Sequence, residues 1–223
     1  MPKLTREQIA WRAARDIQEG AVVNLGIGMP VAVSNHLPAD RDVFFQSENG
    51  VVGVGPAALN GQGDPDLVDA GSRQITLRAG ATIIDSAASF AMIRGGHIDI
   101  TVLGAFEVNP AGDLANWDAR VPDKGALVGG AMDLAACAKE TWVLMAHTTR
   151  SGAPRLREAL SLPLTAAACV TRIYTDLAVV EITPQGFVVT DRIADIDDDE
   201  FARLTGASFE MAPAWRVLDG PNV

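Results

Sequence analysis

The sequence predicts an α/β layer fold built on a mainly parallel central sheet. Three observations carry that reading: short apolar runs rich in β-branched residues, stretches of helical periodicity between them, and turn residues bounding each run. No internal repeat, low-complexity tract or Pro/Ser-rich linker interrupts the 223 residues, so a single domain over 1–223 is expected.

Thr5 and Gln8 have the spacing of a helical capping box. Ile9, Ala13, Ala14 and Ile17 then recur at helical spacing, and Gly20 stops the helix. Strands are expected at 21–25, 43–46, 82–84, 98–103, 141–145, 173–175 and 178–182, each too short for a buried helix. Helical patterns occupy 30–37, 86–93, 132–138 and 155–160. Further on, 195–200 holds five acidic residues and one apolar one, as a solvated helix start does.

Composition removes several function classes. Hydrophobic residues make up 48% and charged residues 21%, which excludes intrinsic disorder. Apolar stretches fall short of the ~20 residues that span a bilayer, so no membrane partner is expected. The first residues also lack the apolar core of a secretory signal. Cys137 and Cys169 sit in apolar sequence without CxxC spacing and read as thiols of a reducing compartment; a cytoplasmic location is expected. With 28 acidic against 18 basic residues the net charge is −10, a surface that repels polyphosphate and speaks against nucleic acid. An anionic ligand must be met by localised arginines, backbone N–H groups or another chain.

Ligands of open α/β sheets collect at the carboxyl ends of the strands. After the first strand, Asn24-Leu-Gly26-Ile-Gly28-Met-Pro30 lets the backbone approach a ligand closely, but Val31 stands where a dinucleotide fingerprint needs Gly or Ala. Gly53-Val-Gly55-Pro-Ala-Ala58 fits a relaxed form of that fingerprint, yet Pro56 removes a donor and no helix follows; it reads as a loop. The second strand runs into Ser47-Glu48-Asn49-Gly50. A glutamate at that place could be a general base, a metal ligand or a covalent nucleophile, or could simply cap the next turn. His36, His97 and His147 are dispersed, without HxH or HxxxH spacing, so no metal site is expected. Gly129-Gly-Ala-Met-Asp133 opens another helix and could aim N–H groups at an oxyanion.

Together these segments resemble the B (β) subunit of the class I 3-oxoacid CoA-transferases. The resemblance rests on Asn24–Pro30, Gln46-Ser-Glu-Asn-Gly50, Ser89-Phe-Ala-Met-Ile-Arg-Gly-Gly-His97, Gly112-Asp-Leu-Ala-Asn-Trp117, Gly129-Gly-Ala-Met-Asp-Leu134, Leu162-Pro-Leu-Thr165 and Thr175-Asp-Leu-Ala-Val179, and it runs from about Thr5 to Phe209. It implies the three-layer, Rossmann-like CoA-transferase fold of the NagB/RpiA-like class. It also implies a ping-pong transfer of CoA from succinyl-CoA to a 3-oxo acid, acetoacetate or 3-oxoadipate, through a glutamyl-CoA thioester on Glu48. Asn24, the Gly28 turn, Asn116 and Gly130 take oxyanion and CoA-binding roles in that pattern. No cofactor is implied, since the CoA thioester is itself a substrate, and an A (α) subunit is the expected partner. Two other uses stay open: hydrolysis or C–C cleavage with Glu48 as general base, and a non-catalytic CoA-binding role.

The chain departs from the family pattern in places. The lysine that follows Ala-Gly in the family is Ser72 here, with Arg73 beside it as the substitute charge. The usual Pro-Gly-Lys reads Pro122-Asp-Lys124, and the stretch from Trp117 to Gly129 is one residue longer. Arg150, Arg155 and Arg157 are candidates for meeting a second carboxylate on the acid; the plainer reading is a solvated face.

Overall fold

The computed structural model describes residues 3–38, 40–58, 63–121 and 125–221. The strands are β1 (Val22–Leu25), β2 (Phe44–Ser47), β3 (Val51–Ala57), β4 (Ile75–Ile83), β5 (Ile100–Gly104), β6 (Glu107–Val108), β7 (Leu114–Ala115), β8 (Glu140–Leu144), β9 (Val170–Tyr174), β10 (Ala178–Thr183), β11 (Gly186–Arg192) and β12 (Phe209–Val217). The helices are α1 (Arg6–Asp16), α2 (Ser86–Arg94), α3 (Ala131–Cys137) and α4 (Asp198–Leu204), with a 3₁₀ segment over Met29–His36.

Ten strands form one sheet in the order β12-β11-β10-β9-β8-β5-β1-β2-β3-β4. Its middle, β9-β8-β5-β1-β2, is wholly parallel, and antiparallel pairs flank it on both sides. The expected α/β fold with a mainly parallel core is therefore present. β1 lies between β2 and β5, so the chain reverses its direction of growth across the sheet between β1 and β5. Such a switch point leaves a crevice at the strand carboxyl ends.

Local sequence explains the elements that hold this frame. α1 begins at a complete capping box, Thr5 Oγ1 accepting from Gln8 N at 3.2 Å and Gln8 Oε1 accepting from Thr5 N at 2.9 Å. Its buried face is Ile9, Ala10, Ala13 and Ala14, extended by Ile17; fully burying each isoleucine is worth roughly 1.5–3 kcal/mol. Opposite charges tie the same helix to the sheet. Arg12 pairs with Asp16 at 2.7 Å and with buried Asp191 at 3.4 Å, while Tyr174 donates to Asp16 at 2.8 Å.

Four expectations need correction. The 155–160 stretch is not a helix: Arg157 N donates to Val108 O and Glu158 N to Gly206 O, so its backbone is spent on neighbouring segments. The 30–37 stretch is 3₁₀ rather than α. The glycine-rich 53–58 segment belongs largely to β3, which bulges around Gly53. There φ is +93° and an added Cβ would meet Ala81 Cα at 2.9 Å, so glycine is required. The expected strand at 82–84 is the end of the nine-residue β4. Pro122-Asp-Lys124 lies outside the described residues. Among the described residues no helix is long and apolar enough to cross a membrane.

His147 is fully buried between Thr175 Oγ1 (3.0 Å) and Thr205 Oγ1 (2.9 Å). Burial disfavours the imidazolium and pushes its pKa down from 6.5 to about 4. The unfolded chain takes up that proton near pH 6.5, while the fold resists it until about pH 4. Stability from this group is therefore complete above pH 6.5 and is lost as the pH falls between those values, by about 3 kcal/mol in all. Urea unfolding at pH 7.5 and at pH 4.5 should resolve that loss, and His147→Gln should flatten it. An unchanged pH slope in the variant would remove His147 as the cause.

Candidate active site

The tetrad Ser47-Glu48-Asn49-Gly50 closes the hairpin between β2 and β3, where Ser47 pairs with Val51. Three of its members are pinned. Ser47 Oγ accepts from Ala70 N at 2.9 Å, and Asn49 Nδ2 donates to Val68 O at 2.8 Å. Gly50, at φ +116°, accepts from Ile84 N at 2.9 Å and donates to Ser47 O at 3.0 Å. A Cβ on Gly50 would overlap Ile84 O, so only glycine closes this three-residue loop. The fourth member is different. Among the described residues the Glu48 carboxylate makes no hydrogen bond and no ion pair, so it caps nothing in its own turn.

That carboxylate is half-buried and rests against Gly130, the residue before α3. A Cβ on Gly130 would overlap Glu48 Oε2 and lie 2.9 Å from Phe90 Cζ. Burial, and secondarily the charge of Asp133, raise the Glu48 pKa above 4.5. Asp133 is itself paired with Arg94, at 2.8 and 3.2 Å, which lowers its pKa and keeps it ionised. A desolvated carboxylate without partners is a stronger nucleophile than one in water.

Glu48 opens onto a cleft of about 790 Å³ lined by the carboxyl ends of β1, β5 and β8. The volume is that of a small-molecule site. Asn24, Gly28, Asn116 and Gly130 all line it, so four residues scattered through the sequence share the cleft onto which Glu48 opens. Their side chains do different things. Asn24 is 1% exposed; its amide donates to Gln46 Oε1, its Oδ1 lies 3.5 Å from Thr101 Oγ1, and Gln46 Nε2 donates onward to Ser89 Oγ at 2.8 Å. This buried chain fixes β2 two residues before Glu48. Asn116 donates to Gly104 O at 3.1 Å and accepts from Thr165 Oγ1 at 2.8 Å. Both asparagines thus hold the wall. Gly28, at φ +96°, and Gly130 bring bare backbone to the same space.

Several cleft features escaped sequence reasoning. Arg73 pairs with Asp69 at 3.3 Å and lines a different small pocket, so it does not bring its charge beside Glu48. Arg155 does line the cleft, with Arg6 and Asp176. Arg157 instead faces Glu107 at 3.6 Å, and Arg150 is exposed. Ile27, Leu127 and Val128 stand exposed on the cleft wall by 65–76%. Only the pocket geometry singles out one arginine of three.

Comparison with known proteins matches this arrangement. Residues 6–194 fit the family model described as Coenzyme A transferase. The chain is 52% identical over 204 residues to the B (β) subunit of 3-oxoadipate CoA-transferase from Pseudomonas putida, covering 92% of this chain and 95% of that one. It is 44% identical over 207 residues to the B (β) subunit of succinyl-CoA:3-ketoacid coenzyme A transferase from Helicobacter pylori, covering 92% and 99%. Among solved structures, an acyl-CoA transferase from Escherichia coli superposes with a TM-score of 0.76 at 19% identity; the match covers 98% of this chain and 44% of that longer one. Glutaconate coenzyme A-transferase from Acidaminococcus fermentans superposes at 0.67 and 16% identity, covering 98% and 90%. The sheet, the pinned tetrad and these likenesses agree: the chain belongs to the coenzyme A transferase family.

Proposed function

We propose that this chain is the β subunit of a 3-oxoacid CoA-transferase, one domain over 1–223, cytoplasmic and active together with an α subunit. It would move CoA from succinyl-CoA to acetoacetate or 3-oxoadipate. The observation that carries the reading is the half-buried Glu48 carboxylate, without a hydrogen bond among the described residues, beside Gly130 at the carboxyl end of the parallel strands. A Glu48 oxygen attacks the thioester carbonyl of acyl-CoA, the C–S bond breaks, and CoA leaves as a thiolate from the acyl-glutamyl anhydride. The thiolate then attacks the glutamyl carbonyl, releases the first acid as a carboxylate and leaves CoA in thioester linkage to Glu48. The second acid retraces both steps and regenerates Glu48. No net proton moves and no cofactor is required.

Each step passes through a tetrahedral oxyanion, for which fixed donors are worth roughly 3–4 kcal/mol. Backbone N–H groups at the Gly28 turn and at the uncapped start of α3 supply such donors. Asn24 and Asn116 spend amide donors on Gln46 and Gly104 and so brace the strands around the site. The apolar cleft wall at Ile27, Leu127 and Val128 supports coverage by a second subunit, as does a net charge of −10 in a protein that must bind CoA phosphates.

Trapping tests the proposal. The chain reconstituted with its α subunit is fed acyl-CoA without an acceptor acid, and the peptide containing Glu48 is weighed. A CoA thioester on that peptide is expected; an unmodified peptide in an assembled complex would reject the covalent mechanism in favour of base catalysis or simple binding.

A further inference from the structure

Arg155 is held too rigidly, and with too many unused donors, to be a solvated surface arginine. Its backbone N donates to His147 O at 3.1 Å and its carbonyl accepts from Val108 N at 3.1 Å. The next residue, Leu156, is fully buried, and the preceding hairpin is closed by a bridge between Thr148 and Pro154. The side chain lies along the cleft wall, Nη1 donating to Ala105 O at 3.1 Å.

Among the described residues the rest of the fork has no acceptor. Nε is shut from solvent and unpartnered among the described residues, while Nη2, not shut off in that way, makes no hydrogen bond among them. The other buried orphan, Arg192 Nε, has a different setting: that guanidinium lies near the Phe201 and Trp215 rings, 5.4 and 5.3 Å from their centroids. Arg155 has no such ring contact among the described residues. Asp176 lies close enough to act on it electrostatically, but its carboxylate accepts from His147 N at 2.6 Å and faces Lys3 at 3.7 Å. With Nη1 spent on Ala105 and Nε shut away, Nη2 is the donor left for a ligand in the cleft.

The position of that donor indicates the ligand. Ala105 follows β5 and Glu48 follows β2, two strands away across β1. At about 4.8 Å per strand the ends of β5 and β2 stand about 10 Å apart across the sheet. A six-carbon acid extends about 6 Å between its terminal carboxyl carbons. Adding one Arg–carboxylate contact, of about 3 Å between N and O, fills the remaining gap.

Resting on the transferase reading above, we propose that Arg155 receives the terminal carboxylate of a six-carbon dicarboxylic acyl group while the acyl carbon lies at Glu48, and so selects that acid over monocarboxylic ones. The six-carbon 3-oxoadipate acceptor carries a terminal carboxylate at that reach, whereas the succinyl donor, two carbons and about 2.5 Å shorter, does not fill the gap. Acetoacetate lacks that terminal carboxylate.

The test uses the assembled complex with Arg155→Gln, and with Arg155→Lys, which keeps the charge but loses the fork. In Arg155→Gln the ratio of kcat/KM for 3-oxoadipate over acetoacetate should fall about 100-fold, as for a desolvated, charge-assisted pair. Arg155→Lys should recover part of that ratio, and kcat/KM for succinyl-CoA should fall less than that for 3-oxoadipate. An equal fall for both acceptors would mean a bracing role at Ala105 and would overturn the proposal; so would an unchanged ratio. Calorimetric binding of adipate against hexanoate gives a readout independent of transfer. Selective loss of adipate binding in Arg155→Gln supports the anchor even where no CoA moves, whereas equal adipate binding by wild type and variant rejects it. Absence of CoA transfer by the wild-type complex would instead count against the transferase reading.

Discussion

Glu48→Gln should reduce CoA transfer by about 10⁴-fold or more while leaving the fold intact. The amide is isosteric but cannot attack a thioester as an anion, and no other carboxylate among the described residues stands against Gly130 to take its place. Stability should move in the opposite direction from activity. Glu48 makes no hydrogen bond among the described residues, and burial already disfavours its charge. Removing the charge therefore costs nothing in the fold, and the thermal midpoint of the assembled complex should stay level or rise. A glutamate that merely capped its turn would give the reverse pattern, with turnover retained and the midpoint lowered. Steady-state turnover and a thermal melt on the same preparation separate the two, and near wild-type turnover would end the nucleophile assignment.

The site was legible in the sequence where function and backbone geometry require the same residue. Gly50 can be nothing else at φ +116° beneath Ile84 O, so the tetrad stands out as a motif. α1 was legible because its cap and buried face are both local in sequence. The parallel core was legible because its strands are short, apolar and β-branched. What failed was decided by long-range pairing. β3 contains Gly53, Gly55 and Pro56, which punctuate loops elsewhere but are tolerated in a bulged strand between two partners. β12 carries Pro213 and alternates weakly because it is an edge strand, paired only with β11. The 155–160 stretch has the spacing of a helix, yet its N–H groups find strand-like acceptors at Val108 and Gly206 first. Arg155 was indistinguishable from Arg150 and Arg157 by the same token: nothing within six residues tells which guanidinium turns inward.

Gly130→Ala separates the seat of the nucleophile from the stability of the helix behind it. Gly130 has φ −69° and ψ −4°, a conformation open to any L-residue, so alanine brings no backbone strain. At a helix N-cap the exchange of glycine for alanine changes stability by no more than about 1 kcal/mol. The new methyl nonetheless has no room. On one side it meets Phe90 Cζ at 2.9 Å; Phe90 is backed by Arg94, whose guanidinium sits 5.7 Å from the ring centroid and is held by Asp133. On the other side it overlaps Glu48 Oε2, the end of a side chain that no hydrogen bond holds among the described residues. The less restrained partner yields most: the carboxylate swings off Gly130 by about 1 Å, and the Phe90 ring gives by a few tenths of an ångström. A misplacement of that size costs about 100-fold in rate where attack depends on alignment. Single-turnover formation of the Glu48–CoA adduct should slow by that factor while the thermal midpoint of the complex barely moves. Adduct formation at the wild-type rate would show that Glu48 reacts from somewhere other than its seat on Gly130.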